Sequence, residues 1–269
     1  TLPLGAHTTP MHADADLTID RRVVFRGGPT GSERMTTLTR ITVPTPSGDI
    51  PADLAQPDGP GPWPAVVVAH DALGLSDDIR NNLRRFADNG FLALAPDLYS
   101  RGGARCVAAT MLAVQRRRGP AVNELLAARD LLLARPDCTG AVGVAGFCMG
   151  GGFALVLASK GFAASAPFYP SIAPVYGSLT EGACPVVASF GARDPVNIGS
   201  GSRLEKALDR RGIANDVKTY PGVGHSFANE LPAQSVVRVA GFGYDAEATE
   251  DAYRRVFAFF GEHLTAAAK

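Results

Sequence analysis

A cysteine between two glycines, in the run Gly146-Phe147-Cys148-Met149-Gly150, has the residue types and spacing of a reactive nucleophile. The apolar run 141–145 before it is typical of a buried strand, and the small and apolar residues after it are typical of a helix. Glycines on either side of a tight strand-to-helix turn leave room for an exposed side chain. The alternative is a small residue that only packs in the turn. The pattern predicts that Cys148 attacks a carbonyl and that the N–H of Met149, at the helix start, binds the oxyanion.

An acid and a base follow this cysteine in the chain order of α/β-hydrolases. Asp194 follows the apolar run 184–190, and His225 lies in a glycine-rich loop after the strand-like run 215–220. Parallel strands end at one edge of a sheet, so the side chains of these loops are expected to meet there. Taken alone, Asp194 before a proline is more often a turn former, and His225 beside glycines is a weak signal. Together the three residues predict a triad of Cys148, His225 and Asp194.

The periodicity predicts an α/β fold with a mostly parallel central sheet, helices on both faces and an antiparallel N-terminal hairpin. The hairpin is formed by 38–43 and 50–55 around a turn at 46–49. Residues 1–34 are polar and are expected to form a flexible N-terminal extension, whereas 35–269 form the hydrolase-like domain. The later predicted strands are 65–69, 91–95, 141–145 and those near Ala163, Pro185 and Asp216; the helices are 79–89, 104–118, 121–134, 246–263 and those near Gly152 and Ser202.

Composition narrows the possible partners. Lys plus Arg and Asp plus Glu number 26 each, which gives no electrostatic reason to bind nucleic acid or an anionic membrane. The four cysteines have no Cys-x-x-Cys spacing, so neither a metal site nor a dithiol pair is expected, and no cofactor is predicted. No run approaches the ~20 apolar residues of a membrane span. We expect a cytoplasmic protein with a small-molecule substrate that is a monomer or a small homo-oligomer.

Four motifs along the chain resemble the dienelactone hydrolase family, the carboxymethylenebutenolidases, which carry a cysteine in the α/β-hydrolase turn. The resemblance implies the α/β-hydrolase fold, the triad, and hydrolysis of a lactone or ester through an acyl-thioester. It also implies that the N–H of Ala72 is the second oxyanion donor. The motifs, spread over about 37–264, are Val66-Val67-Val68-Ala69-His70-Asp71-Ala72-Leu73-Gly74-Leu75, Ala95-Pro96-Asp97-Leu98-Tyr99-Ser100-Arg101, Gly146-Phe147-Cys148-Met149-Gly150-Gly151 and Gly224-His225-Ser226-Phe227-Ala228.

The same resemblance implies roles for residues around the nucleophile. Family members carry an acidic residue, usually Glu, that holds the resting thiol, and Asp71 stands there, one methylene shorter. Its alternative role is a turn or helix cap. Two arginines bind the substrate carboxylate in the family's dienelactone enzymes; Arg101 matches the first, but Asn229 stands at the second. The loss of one bidentate donor weakens recognition of an anionic substrate and favours a different acyl specificity over dienelactone itself.

Aromatic residues complete the expected site. Tyr99 and Phe147 lie near its loops and could line an apolar pocket, although aromatics at strand ends are more often part of the core. A second hypothesis is a non-hydrolytic protein of this fold that uses Cys148 as a thiol sensor or ligand-binding site. The complete acid and base argue against it, because a sensor needs no base for deacylation.

Overall fold

Strands and helices alternate along most of the chain, as the periodicity predicted. The computed structural model describes residues 36–102, 104–230 and 241–266, so the predicted extension at 1–34 lies outside the described residues. The strands are β1 (Leu38–Val43), β2 (Ile50–Ala55), β3 (Trp63–Ala69), β4 (Leu92–Pro96), β5 (Cys138–Phe147), β6 (Ser165–Phe168), β7 (Val186–Gly191) and β8 (Asn215–Tyr220). The helices are α1 (Asp77–Asp88), α2 (Ala104–Arg116), α3 (Pro120–Leu133), α4 (Met149–Leu157), α5 (Tyr176–Leu179), α6 (Ser200–Asp209) and α7 (Ala246–Ala266).

The described strands form one sheet in the order β1-β2-β4-β3-β5-β6-β7-β8. The β1–β2 hairpin is antiparallel, with Val43 opposite Ile50, and β2 is antiparallel to β4. All the other neighbouring strands are parallel. The predicted fold class, a mostly parallel sheet with an antiparallel N-terminal hairpin, is therefore confirmed.

Two apolar cores lie on opposite faces of this sheet. Val67 of β3 belongs to the core that α2, α3, α4 and α6 cover, whereas its neighbours Val66 and Val68 belong to the core under α1 and α7. Successive side chains of a strand point to opposite faces, so a strand buried on both sides is apolar at every position. This explains why β3 has no polar alternation in its sequence.

Helix α1 begins two residues before the predicted helix 79–89. Ser76 is its N-cap and its Oγ accepts a hydrogen bond from the Ile79 N–H at 3.4 Å, while Asp77 and Asp78 occupy the first turn. Acidic residues suit the positive end of the helix dipole, but they add nothing to the apolar periodicity on which the prediction depended. None of the described helices combines the length and hydropathy that a membrane crossing requires.

The parallel strands bring the loops of interest to one edge of the sheet. Ala69 of β3 pairs with Gly146 of β5, and Phe147 of β5 pairs with Phe168 of β6. Further along the same edge, Gly191 of β7 pairs with Tyr220 of β8. The loops that follow these strand ends therefore begin side by side and hold the residues described next.

Candidate active site

Cys148 lies in a strained turn between β5 and α4. Its φ of 54° is in the left-handed region, which costs a non-glycine residue roughly 1–3 kcal/mol. A Cβ on Gly146 would lie 2.1 Å from the Gly150 carbonyl oxygen, and a Cβ on Gly150 would lie 2.0 Å from that of Ala69. The turn therefore requires both glycines. It leaves the Cys148 side chain half-buried, so the thiol is accessible.

Asp194 and His225 form a buried pair. His225 Nδ1 lies 2.7 Å from Asp194 Oδ2, and neither residue is more than 1% exposed. Asp194 Oδ2 also accepts from Asn197 Nδ2 at 2.8 Å, while Oδ1 accepts from the Val196 N–H at 2.7 Å. Burial alone would raise the pKa of Asp194, but these bonds, first that of His225, hold the pKa below its usual value. The aspartate is thus both the turn former and the partner of the histidine.

His225 connects this pair to the cysteine. Burial lowers the pKa of its imidazole, but hydrogen bonds with Asp194 and Cys148 outweigh burial and raise the pKa to about 9. The backbone of its loop is held by the Gly241 carbonyl oxygen, 2.6 Å from the His225 N–H, and by the Gly243 N–H, 3.0 Å from the His225 carbonyl oxygen. At neutral pH the imidazole therefore keeps its proton.

Two backbone N–H groups were predicted to bind the oxyanion, those of Met149 and Ala72. Met149 is the first residue of α4, and the first N–H groups of a helix have no acceptor within the helix. Ala72 lies in the turn after β3, where its neighbours are fixed: the Leu73 N–H donates to Asp71 Oδ1 at 2.8 Å and the Gly74 N–H to the Asp71 carbonyl oxygen at 3.2 Å. Their roles as oxyanion donors remain predictions.

A buried histidine that the motifs left without a role fixes this turn. His70 Nδ1 donates to the Asp71 carbonyl oxygen at 2.7 Å, and its Nε2 accepts from the Leu98 N–H at 3.2 Å. A carbonyl oxygen only accepts and an N–H only donates, so the ring is the neutral Nδ1–H tautomer. Burial agrees, since it lowers the pKa of His70. His70 therefore ties the loop after β3 to the loop after β4.

Asp71 is a turn former in this structure, which was the alternative reading of the residue. It is 5% exposed. Burial raises the pKa of its carboxyl to about 6; the Leu73 N–H opposes this shift, the charge of Asp78 adds to it, and His225 opposes it. The resting thiol makes a different contact from the expected one, because Cys148 Sγ lies 3.3 Å from Ser171 Oγ. Ser171, in the loop after β6, belongs to no motif and was not predicted.

Arg101 and Asn229, at the positions of the family's two carboxylate-binding arginines, have partners within the protein. The Arg101 guanidinium donates to the carbonyl oxygens of Ser47 and Gly48, both at 2.6 Å, and lies 3.3 Å from Glu124 Oε1. Asn229 is 1% exposed; its Oδ1 accepts from the Tyr169 hydroxyl and its Nδ2 donates to Asp78. Backbone carbonyl oxygens and neighbouring side chains satisfy the polar groups of both residues, and their predicted contact with substrate remains a prediction.

The two predicted aromatic contacts differ from each other. Phe147 is fully buried and stacks on Phe168 with ring centroids 4.8 Å apart, so it is a core residue and not part of a pocket wall. Tyr99 is half-buried, and its hydroxyl lies 3.7 Å from Met149 Sδ. Burial, and then the charges of Asp71 and Cys148, raise the pKa of Tyr99 to about 12. Tyr99 thus stays beside the nucleophile as a neutral phenol.

The described residues contain no disulfide and no group of side chains placed to bind a metal ion. All four cysteines are free thiols: Cys106, Cys138, Cys148 and Cys184. Burial raises the pKa of Cys184 to about 12, which leaves that thiol protonated and unreactive. Across 36–102, 104–230 and 241–266, no group of three His, Cys, Asp or Glu side chains is placed to hold a metal ion.

Comparison with known proteins gives consistent matches over this domain. The model of the dienelactone hydrolase family matches residues 50–264. A Synechocystis relative with a provisional carboxymethylenebutenolidase name is 28% identical, over 84% of this chain and 97% of its own length. Protein usf of Aquifex pyrophilus is 31% identical over 75% of this chain and 89% of its own. The crystal structure of a dienelactone hydrolase-like promiscuous phosphotriesterase from metagenomic libraries superposes with a TM-score of 0.74, at 26% identity, over 85% of this chain and 99% of that one.

Proposed function

Because this chain belongs to the dienelactone hydrolase family of carboxylic ester hydrolases, we propose that it cleaves an uncharged lactone or ester with Cys148 as nucleophile. His225 is the base and Asp194 orients it. One observation carries the proposal: His225 Nδ1 is held 2.7 Å from Asp194, and Cys148, strained at φ 54°, lies close enough to the imidazole to help raise its pKa. This is the arrangement that nucleophilic catalysis requires.

Acylation uses the proton that His225 holds. The Cys148 thiolate attacks the carbonyl carbon and forms a C–S bond, and the carbonyl oxygen becomes an oxyanion that the N–H groups of Met149 and Ala72 bind. When this intermediate collapses, the C–O bond breaks and the leaving oxygen takes the proton from His225. In a lactone the leaving oxygen stays attached to the acyl chain, so the ring opens on the enzyme.

Deacylation returns the site to its starting state. His225, now neutral, removes a proton from water, and the hydroxide attacks the thioester carbon. The C–S bond breaks, its electron pair returns to the sulfur, and the carboxylic acid leaves. The bond between Asp194 and His225 Nδ1 keeps the other ring nitrogen directed at the water and the sulfur in both half-reactions.

The charges around the site support an uncharged acyl group. Arg101 and Asn229, at the positions of the carboxylate-binding arginines, are bonded to the β1–β2 turn and to buried side chains. Asp71 adds an acidic group beside His225. Apolar side chains are exposed in the loops after β3 and β7: Leu73 at 62%, Val196 at 52% and Ile198 at 76%. A negative substrate would meet a carboxylate here, whereas an apolar one meets side chains it can bury.

The test uses two esters that share a leaving group. p-Nitrophenyl butyrate is neutral and p-nitrophenyl hemisuccinate carries a carboxylate, so their kcat/KM ratio measures the preference for charge. We expect the butyrate to be the better substrate, and Cys148→Ala to lower its kcat/KM by at least about a thousandfold. Cys138→Ala is the matched control, because Cys138 begins the same strand at its opposite end.

Three outcomes would contradict parts of the proposal. Full activity in Cys148→Ala would show that Cys148 is not the nucleophile. A strong preference for the hemisuccinate would overturn the substrate class. A single acylation of Cys148 without turnover, seen as a stable mass increase, would instead support a thiol sensor.

A further inference from the structure

Ser171 contacts the nucleophile residue through both its side chain and its backbone. Its Oγ lies 3.3 Å from Cys148 Sγ, and its N–H donates to the Cys148 carbonyl oxygen at 2.8 Å. The backbone bond sets the distance between the loop after β6 and the turn after β5. The backbone bond therefore keeps the Ser171 hydroxyl beside the sulfur.

The segment that carries Ser171 is fixed from a second side. Gln115 of α2 donates through Nε2 to the Ser171 carbonyl oxygen at 3.4 Å, and its Oε1 accepts from the Ala173 N–H at 3.0 Å. On the other flank, α4 packs closely, since a Cβ on Gly152 would lie 3.0 Å from the Ser171 carbonyl oxygen. A small hydroxyl group on a backbone held this way is pre-organised toward the sulfur.

The chemistry of the groups decides the direction of the contact. A serine hydroxyl has one hydrogen to donate, whereas a thiolate can only accept, and hydrogen bonds to charged acceptors are about twice as strong as neutral ones. The carboxylate of Asp71, the expected partner, can give a thiolate no hydrogen when ionised, and its Oδ1 already accepts from Leu73. The His225 imidazole lies near Cys148, and Ser171 Oγ, 3.3 Å from the sulfur, is placed to donate a hydrogen bond to it.

We propose that Ser171 stabilises the Cys148 thiolate by donating its hydroxyl hydrogen to the sulfur, both in the resting enzyme and when the thioester breaks. In deacylation the C–S electron pair returns to sulfur, so a donor there stabilises the leaving group. The deacylation role rests on the proposed function. The resting-state role requires only that Cys148 ionises.

The first experiment measures Cys148 alone. The rate of its alkylation by iodoacetamide is followed against pH by tandem mass spectrometry that assigns the label to Cys148, so the other three cysteines, including Cys138 on the same tryptic peptide, do not interfere. Ser171→Ala should move the pH midpoint upward by about one unit, since losing a hydrogen bond to the charged sulfur destabilises the thiolate relative to the thiol. The control is Ser178→Ala, which removes an exposed hydroxyl of α5 that bonds to Arg117 and to the Val175 carbonyl oxygen, and it should leave the midpoint unchanged.

A pair of isosteric variants separates the hydroxyl from packing. Ser171→Thr keeps the hydroxyl and Ser171→Val replaces it with a methyl group of the same shape, so the Val variant should have the higher midpoint. This pair also replaces Ser171→Ala if that variant folds poorly. An equal midpoint in the two, or a lower one in the Val variant, would overturn the proposal.

The result is independent of whether the protein hydrolyses the chosen esters. A raised midpoint without hydrolysis by any form would keep the thiolate role and reject the proposed function. Hydrolysis that needs Cys148, with midpoints unaffected by the substitutions at 171, would do the reverse. With both intact, rapid-quench kinetics should show more acyl-enzyme in Ser171→Val than in Ser171→Thr, because deacylation is slower.

Discussion

The triad loops, and the loops that hold Arg101 and Asn229, begin at the same edge of one sheet. The side chains of the two groups make different kinds of contact. After β5, β7 and β8, the side chains of Cys148, Asp194 and His225 lie near one another, and Asp194 and His225 share a hydrogen bond. Arg101, after β4, bonds to the β1–β2 turn, and Asn229, four residues after His225, bonds to Tyr169 and Asp78. The first region holds the residues proposed to carry out catalysis, and the contacts of the second stabilise the fold.

The difference follows from how each side chain is directed. Cys148, Asp194 and His225 have short or stiff side chains on backbones that glycines, turns and hydrogen bonds fix, so the backbone conformation sets their direction. The Arg101 guanidinium lies at the end of a long, flexible chain, and its direction is decided by whichever acceptors are near. Here those acceptors are the Ser47 and Gly48 carbonyl oxygens and Glu124. A motif position therefore predicts a short side chain's role better than a long one's.

The largest effect is expected from Asp194→Asn, which tests the first region. Asparagine keeps the oxygen that the Val196 N–H needs, but its amide hydrogens face His225 Nδ1 and favour the wrong tautomer. We expect kcat for p-nitrophenyl butyrate to fall by about 10²–10⁴ with little change in melting temperature. Asp97→Asn is the matched control, since Asp97 also forms a turn after a strand, accepting from the Tyr99 N–H at 3.0 Å. If both variants lose activity equally, Asp194 is only a turn former.

Gly150→Ala should damage the same region through the backbone. Its Cβ would lie 2.0 Å from the Ala69 carbonyl oxygen, so α4 and β3 must separate and the turn around Cys148 must shift. We expect a loss of about 1–3 kcal/mol in the free energy of unfolding together with a large loss of kcat/KM. Gly261→Ala in α7, where a Cβ meets nothing within 4 Å, should be neutral or stabilising. An active, stable Gly150→Ala enzyme would contradict the packing argument.

The sequence was most informative where the chemistry needs a fixed backbone. The glycine pattern around Cys148, and the strand-then-loop contexts of Asp194 and His225, were sufficient to predict a site that the structure brings together. His70 and Ser171 were missed because each acts through a contact with a distant segment, Leu98 for one and Cys148 for the other. The one available signal was position, since both follow the carboxyl end of a parallel strand.

Phe147 shows the converse error. It stands beside the nucleophile in sequence, but strand residues alternate between faces, and its ring points into the core against Phe168. The alternation of β5 could have predicted this.

The start of helix α1 was also predicted incorrectly. Its capping serine and acidic first turn are polar, so they add nothing to the apolar periodicity from which the helix was predicted.

Asp71→Asn tests whether the acidic group beside the triad costs stability. Burial raises the carboxyl pKa from its usual value to about 6, so folding favours the neutral form. Below about pH 4, the pKa of Asp71 in the unfolded chain, the carboxyl is neutral in both states and costs the wild type no stability. As the pH rises from there to about 6, the wild type loses stability because the buried carboxyl resists ionisation. Asparagine keeps the acceptor for Leu73 without the charge. We expect the variant to be more stable than the wild type at pH 8, by up to about 3 kcal/mol, and no more stable at pH 4.

Thermal denaturation at the two pH values measures this difference, with the exposed residue Asp49 changed to Asn as the control. A gain of equal size at both pH values would show that the effect of Asp71→Asn is not electrostatic. A loss at pH 8 would mean that the ionised carboxylate stabilises the fold through its attraction to protonated His225, and would make Asp71 a partner of the triad as well as a turn former.

Arg101→Ala should have the smallest effect on catalysis, and it tests the second region. Removing the guanidinium takes three hydrogen bonds from the β1–β2 turn and an ion pair from the buried Glu124, so the melting temperature should fall. The ratio of kcat/KM for the hemisuccinate to that for the butyrate should stay within about twofold, since an interaction absent from both substrates contributes equally to each. A tenfold loss for the hemisuccinate alone would mean that Arg101 leaves the turn to bind the substrate carboxylate, and the two regions would then act as one site.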